Sequence, residues 1–247
     1  MGIRTMTALS PADERAGDIL RLRREIGRMQ RRRSDDAVLP VPAPLRELLP
    51  GGGLQTGTVY SASPSPSLLF ALMSAVSQRG SWCAAVGMPT LGIEAAASFG
   101  IDLSRLILVP SPGERWLAVV SALAEVVPLI ALAPGSRVRD ADAARLAARL
   151  RDRGCTVLAT TSEPSPSPWP QSEGLISLHD PHWSGLGTGW GLLSDRTVTI
   201  TAQTRQSPRP QSLRVQLPGG LGGIEAVPQA PTDHPRTWIP ELVEGVA

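Results

Sequence analysis

The stretch "GGGLQTGTVYSASPSPSLLFAL", residues 51–72, decides the fold class of this chain. A glycine-rich lead passes into the short apolar run Thr58–Ala62, then a turn of small residues, and then an apolar segment, Ser67–Gln78. Short apolar runs predict buried strands, and a longer apolar segment at helical spacing predicts a helix. We therefore predict a β-strand, a tight turn and an α-helix in immediate succession.

The alternation of strand and helix continues as far as Thr160. Further strands are predicted at Trp82–Val86, Leu106–Val109, Leu129–Ala133 and Thr156–Thr160. Helices are predicted between them at Gly92–Phe99, Glu114–Glu125 and Asp140–Arg153. Continuously apolar strands separated by helices are typical of a mainly parallel sheet with helices on both faces, so we predict an α/β fold.

Beyond a proline-rich loop at residues 162–170 the pattern changes. Short strands bounded by turn residues are predicted at Leu175–Leu178, Gly191–Leu193, Thr197–Thr201 and Leu213–Leu217. The run from Thr197 to Thr201 alternates strictly between polar and apolar residues, as a half-solvated strand does. We expect these strands to add to the edge of the sheet in antiparallel fashion.

Three regions follow from these patterns: an N-terminal helix and linker at residues 1–44, an α/β core at 45–217, and a flexible tail at 218–247. The first region predicts a basic amphipathic helix over Pro11–Arg33, followed by a linker over Ser34–Pro44. Between Arg15 and Arg33 eight arginines face only two acids. The core begins with a short helical turn at Leu45–Leu49.

The composition excludes several chemistries. All 24 lysine-or-arginine residues of the 247-residue chain are arginine, so a lysine base, a Schiff base and a phosphate-binding lysine are absent. Cys83 and Cys155 lie in apolar runs, which favours buried thiols in a reducing compartment over a disulfide. The sequence shows no signal peptide and no membrane-length apolar run, so we expect a cytoplasmic protein.

The turn after the first core strand has lost the features that bind phosphate. A phosphate-binding loop needs consecutive backbone N–H groups, a lysine and a Ser or Thr that holds Mg²⁺. Here the turn consists of Ser63, Pro64, Ser65, Pro66 and Ser67, and each proline removes one N–H donor. We interpret Ser67 as a helix N-cap rather than a magnesium ligand. The turn is therefore predicted to be a degenerate nucleotide site.

Three motifs, in this order and spacing, resemble the RecA-like ATPase core. They are the glycine lead Leu48–Val59, the segment Phe99–Leu106 and the loop Val109–Glu114. The resemblance covers about residues 45–217. It implies a RecA-like mainly parallel sheet with helices on both faces and antiparallel strands added at its C-terminal end.

Two further stretches resemble the ImuA group in its short actinobacterial form: "GERWLAVV" at residues 113–120 and "HWSGLG" at 182–187. That resemblance implies a non-catalytic role in damage-inducible mutagenesis, with an ImuB-like polymerase-related adaptor and an error-prone C-family polymerase as partners. Single-stranded DNA and RecA are further candidate partners.

The RecA-like resemblance also locates two catalytic acids that this chain lacks. The glutamate that orients the attacking water falls at Met88, and the acid of the magnesium shell falls at Ala133. Neither residue carries a carboxylate. We therefore expect no ATP hydrolysis and no cofactor, while a residual nucleotide-binding enzyme stays an open alternative.

Two kinds of residue are candidates for contact with a partner or with DNA. The first are arginines of the basic helix: Arg23, Arg24, Arg28, Arg31, Arg32 and Arg33. This helix has three interpretations: a solvated face, a docking helix or a nucleic-acid contact. The second are the loop or tail tryptophans Trp183, Trp190 and Trp238, with Trp169 in a similar setting. Trp82 and Trp116 are predicted to pack in the core.

The alternative function is a single-stranded DNA-binding module that uses the basic helix and the glycine-rich loop Gly185–Gly191. A metal site is not predicted, because His179 and His182 have no neighbouring cysteine and Pro181 bends the path between them. No G-x-S-x-G nucleophile elbow occurs in the chain either.

Overall fold

Nine strands form one mixed sheet in this computed structural model, which describes residues 38–135, 138–160, 169–185, 196–219 and 222–227. The strands of the described chain are β1 Val38–Pro40, β2 Gly53–Gln55, β3 Val59–Ala62, β4 Cys83–Val86, β5 Leu106–Val109, β6 Leu129–Leu132, β7 Thr156–Thr160, β8 Gly174–Trp183, β9 Arg196–Thr204, β10 Gln211–Gln216 and β11 Glu225–Ala226. The α-helices are α1 Pro66–Gln78, α2 Ile93–Ser98, α3 Trp116–Leu123 and α4 Asp140–Arg153. Short 3₁₀ turns lie at Ala43–Leu48, Pro50–Gly52, Leu103–Arg105 and Gly113–Arg115.

The strand order of the large sheet is β11-β10-β9-β8-β3-β7-β6-β4-β5. The six strands from β8 to β5 run parallel to one another. At the other side of β8, strands β9, β10 and β11 continue the sheet in antiparallel fashion. This arrangement confirms the predicted α/β class, with a parallel core and antiparallel strands at its C-terminal end.

Each central strand packs on both of its faces. In β6, Leu129 and Ala131 belong to the core beneath α1 and α2, whereas Ile130 and Leu132 belong to the core beneath α3 and α4. All four residues are buried. Successive side chains of a strand point to opposite faces, so a strand with a helix layer on each side needs an unbroken apolar run. This requirement explains why the central strands stand out in the sequence.

The predicted linker at Ser34–Pro44 is in part a structured element. Val38–Pro40 forms β1 and pairs antiparallel with β2. Leu39 and Val41 are buried in the core beneath α1. The prolines of this segment do not prevent strand formation, because Pro40 lies at the end of a two-stranded ribbon, where a missing N–H is tolerated.

Within the region predicted as a tail, Glu225–Ala226 pairs with β10 as β11. The basic helix Pro11–Arg33, the strand predicted at Gly191–Leu193 and residues 228–247 lie outside the described residues. Among the described helices, none has the length and apolar composition that crossing a membrane requires.

Candidate functional site

The turn Ser63–Ser67 lies between β3 and α1, and its first residue is bound to β8. The Ser63 N–H donates to the carbonyl oxygen of Ile176 at 3.0 Å. The Ser63 hydroxyl oxygen accepts from the N–H of Leu178, also at 3.0 Å. Both polar groups of Ser63 therefore continue the parallel pairing of β3 with β8 instead of facing a ligand.

The rest of the turn caps α1. The Ser65 hydroxyl oxygen accepts from the Leu68 N–H at 3.4 Å, and the Ser65 carbonyl accepts from Leu69 at 3.1 Å. Ser65 is thus the N-cap, and the prediction that Ser67 holds this position was wrong. The reason is Pro66, which takes the first helical position, where its missing N–H costs nothing.

Few N–H donors remain in this turn for a phosphate. The N–H groups of residues 63, 68 and 69 are donated inside the protein, and so is that of Ser65, to the Ser63 carbonyl oxygen at 2.7 Å. Pro64 and Pro66 have no N–H group at all. A phosphate-binding loop depends on several such groups pointing at one anion.

The ends of β4 and β6, where the two acids of an ATPase would lie, are joined by backbone contacts. The Ala133 N–H after β6 donates to the Val86 carbonyl of β4, and the Gly87 N–H after β4 donates to the Val109 carbonyl of β5, both at 2.9 Å. Gly87 has a φ of +78°, and a Cβ atom built there would lie 2.1 Å from the Ala133 carbonyl oxygen. Met88 follows, half-buried against the core beneath α1. No carboxylate stands at position 88 or position 133.

A groove of about 1020 Å³ opens beside this point, at the carboxyl ends of β4, β5 and β6. Its charged and aromatic lining comes from Glu114, Trp116, Arg139 and Asp142. Ligands of α/β proteins often bind at this edge of the sheet, where neighbouring strands connect to opposite faces. None of these four was predicted as a site residue, although each follows the carboxyl end of a predicted strand. The groove does not reach the turn Ser63–Ser67.

The tryptophans differ from their predicted environments in two cases. Trp169, predicted as an exposed anchor, is only 1% exposed and packs edge-on against Trp116, with ring centroids 6.0 Å apart. Trp82, predicted to be packed, is 47% exposed just before β4. Trp116 is partly buried, as expected. Trp169 thus contributes to the core beneath α3 and α4 instead of facing a partner.

Trp183 lies at the end of β8 and is 52% exposed. The guanidinium of Arg196 stacks over its ring, 5.4 Å from the centroid. Arg196 also donates from Nε to the Leu217 carbonyl at 2.9 Å, and burial lowers the pKa of this guanidinium. Trp183 is therefore exposed, as predicted, but it lies on a strand rather than in a loop. Trp190, Trp238 and the six arginines of the basic helix lie outside the described residues.

Two of the histidines, His179 and His182, occupy the same strand, β8. His179 and His182 flank a β-bulge in β8, opposite Thr199 and Thr197 of β9. Among the described residues, no group of three His, Cys, Asp or Glu side chains could hold a metal ion.

Both cysteines are buried free thiols, on opposite sides of the sheet. Burial raises the pKa of Cys83 and of Cys155 to about 12, from an ordinary value of 9.0. We expect neither thiol to react with an alkylating reagent at pH 8 in the folded protein, and both to react in denaturant, as mass spectrometry would show. Because the unfolded thiols ionise first, the free energy of unfolding should fall as the pH rises above about 9. Labelling of the native protein would contradict the burial of both thiols.

A family model described as the MT3502 N-terminal domain matches residues 47–171, about half of the chain. The chain belongs to the MT3502 N-terminal domain family. The matched part runs from the turn before β2 to the segment that carries the buried Trp169. A relative of this MT3502-family chain is the uncharacterized protein Rv3395c of Mycobacterium tuberculosis, which is 34% identical over 165 residues. That alignment covers 64% of this chain and 78% of the relative.

Among solved structures, the crystal structure of the RadB recombinase is similar to this MT3502-family chain. The TM-score is 0.56 at 17% sequence identity, and the match covers 75% of this chain and 97% of RadB. A structural similarity at 17% identity shows a shared fold only. It confirms the RecA-like architecture that the glycine lead and the later motifs predicted.

Proposed function

We propose that this protein is a non-catalytic RecA-like accessory subunit of an inducible translesion-synthesis complex. It acts through protein contacts with an ImuB-like adaptor and an error-prone C-family polymerase. The ImuA-like motifs at residues 113–120 and 182–187 support this assignment. A cytoplasmic location follows from it.

The observation that carries the non-catalytic part is the use of the turn Ser63–Ser67 within the protein. Ser63 is bound to β8 and Ser65 caps α1, while two prolines remove N–H donors. The N–H groups of residues 63, 65, 68 and 69 are already donated inside the protein, so a phosphate would have to compete for them. Nor does the chain contain a lysine to offset the charge of the phosphates. In a partly desolvated site that missing charge is worth several kcal/mol, roughly 4 kcal/mol at an effective dielectric constant of 20.

An apolar surface next to the ImuA-like motif supports action through protein contacts. The eight residues of α3 include no charged side chain, and only Val120 among them is buried. Val126, just beyond this helix, is 69% exposed. Exposed apolar residues that cluster are typical of surfaces that bind another protein.

Titration calorimetry with Mg-ATP tests the non-catalytic part. We expect a dissociation constant weaker than about 1 mM, corresponding to less than roughly 4 kcal/mol of binding free energy. We also expect no phosphate release above the background of a matched sample in which Ser67 is replaced by alanine. Turnover that the Ser67→Ala variant abolishes would show a working magnesium ligand and would refute this part of the proposal.

A further inference from the structure

Another cavity, of about 590 Å³, lies at the opposite edge of the sheet from the turn Ser63–Ser67. Ser81, Pro128 and Gly154 line it, and they stand just before β4, β6 and β7, at the amino ends of these parallel strands. The turn Ser63–Ser67 instead follows the carboxyl end of β3. The cavity has the size of sites that enclose a small organic molecule. It is therefore separate from the position where a RecA-like fold would hold a nucleotide.

Hydrogen bonds of one buried residue, Thr156, join segments around this cavity. The Thr156 N–H donates to the Pro128 carbonyl oxygen at 2.8 Å. The Thr156 hydroxyl donates to the Gln55 carbonyl oxygen at 3.0 Å, and the next residue, Thr56, lines the cavity. Segments from three parts of the chain are thus held together by a residue with no exposed surface. The cavity is therefore formed by the fold itself, without a ligand to order it.

Three arginines line the cavity, and none of the described residues in its lining is acidic. Arg79 follows the end of α1, and Arg151 and Arg153 belong to the last turn of α4. We call this cavity the Arg79 pocket. The Arg153 guanidinium lies 3.7 Å from Glu125, a carboxylate outside the lining that also binds Arg149. Arg79 and Arg151 form no ion pair within the described part of the chain.

The two helix ends reduce this positive charge but do not cancel it. The dipole of a helix places roughly half a negative charge at its C-terminus, which is why basic residues are favoured there. The ends of α1 and α4 together therefore offset only about one of the three arginine charges. The Arg79 pocket is suited to an anion that carries more than one charge.

The lining also indicates which class of anion fits. A carboxylate carries a single charge, whereas a phosphate monoester carries about −1.5 to −2 and offers three acceptor oxygens. Arginine guanidinium groups match those oxygens in geometry as well as in charge. Leu39, Pro40 and Val76 give the pocket an apolar wall. Inorganic phosphate would leave this wall uncovered, but an organic group joined to the phosphate would contact it.

We propose that the Arg79 pocket binds a small organic phosphate monoester. Arg79, Arg151 and Arg153 bind its phosphate, and the apolar wall contacts its organic group. This site goes beyond the accessory function proposed above and uses neither the turn Ser63–Ser67 nor the basic helix. In Mg-ATP the cation offsets the charge of the terminal phosphates, so the weak Mg-ATP binding expected above is unchanged.

Titration calorimetry of the full chain with phenyl phosphate tests this proposal. We expect saturable binding with a dissociation constant below about 1 mM. Inorganic phosphate should bind at least about tenfold more weakly, because it buries no apolar surface. Arg79→Gln and Arg151→Gln should each weaken the binding of phenyl phosphate about tenfold, as the loss of a charge-assisted hydrogen bond does.

The matched control is Arg145→Gln on α4, which removes the same charge from a side chain that is 75% exposed and outside the pocket lining. We expect this variant and Ser67→Ala to retain wild-type affinity, and circular dichroism to show all variants folded. The proposal would be overturned by the absence of saturable binding, or by equal weakening in Arg145→Gln and Arg79→Gln. Inorganic phosphate that binds as tightly as phenyl phosphate would also overturn it.

Two acids of the chain itself provide a further test. Asp35 and Asp36 come shortly before Val38, which lines the pocket. Replacing both with asparagine should change the affinity for phenyl phosphate less than about twofold, which is under 0.5 kcal/mol. A tenfold increase would show that these carboxylates compete for the arginines, and the proposal would then be wrong. None of these outcomes concerns the adaptor or the turn Ser63–Ser67, so the two proposals fail separately.

Discussion

Replacing Gly87 with alanine should lower the free energy of unfolding by about 4 kcal/mol, measured by urea denaturation. Two costs add up at this position. The backbone of Gly87 has a φ of +78°, which an L-residue adopts at a cost of roughly 1–2 kcal/mol. The new Cβ would also lie 2.1 Å from the Ala133 carbonyl oxygen, so β4 and β6 would have to separate.

Gly154 provides the control for the cost of placing an L-residue at a positive φ. It ends α4 with a φ of +68°, and nothing lies within 4 Å of a Cβ atom built there. Gly154→Ala should therefore cost only about 1–2 kcal/mol. If Gly87→Ala and Gly154→Ala lower the free energy of unfolding equally, then Gly87 and Ala133 are not in close contact. The ends of β4 and β6 would then have room for side chains that this contact excludes.

Replacing Trp169 with alanine should destabilise the protein by about 3–5 kcal/mol, as large-to-small changes of buried aromatic residues do. This ring is 1% exposed and contacts Trp116 in the core beneath α3 and α4. Its removal would leave a cavity in that core. Urea denaturation followed by far-UV circular dichroism measures the change without relying on the fluorescence of the removed ring.

Trp82→Ala is the matched control, because the same side chain is removed from a position that is 47% exposed. Its expected cost is under about 1 kcal/mol, as for most surface substitutions. A loss of stability for Trp82→Ala as large as that for Trp169→Ala would contradict the assignment of Trp169 to the core.

The parallel core could be predicted closely because its strands are buried on both faces. Leu106–Val109 and Thr156–Thr160 form strands with the predicted bounds, and α4 spans its predicted Asp140–Arg153. In contrast, β1 was missed, because three residues ending in a proline carry no periodic signal. Trp169 was placed outside the core because no apolar periodicity surrounds it in the sequence.

The sequence predicted which phosphate-binding groups the turn Ser63–Ser67 lacks, but not which residues the turn contacts. Pro64, Pro66 and the absence of lysine show in the sequence that the turn lacks phosphate-binding groups. That Ser63 is bound to β8 rests on pairing with Leu178, 115 residues later, and no local pattern encodes such a register. The row that joins His179 with Arg214 was hidden for the same reason, because it exists only across three paired strands.

The most direct test of the central claim is the affinity of the full chain for an ImuB-like adaptor, measured by titration calorimetry with and without Mg-ATP. A second chain that ends at Val227 keeps β11 paired with β10 while removing residues 228–247, and it shows whether the tail contributes. We predict a stable complex whose dissociation constant is the same with and without nucleotide. The absence of a complex, or one that forms only with Mg-ATP, would contradict a non-catalytic role in protein contacts.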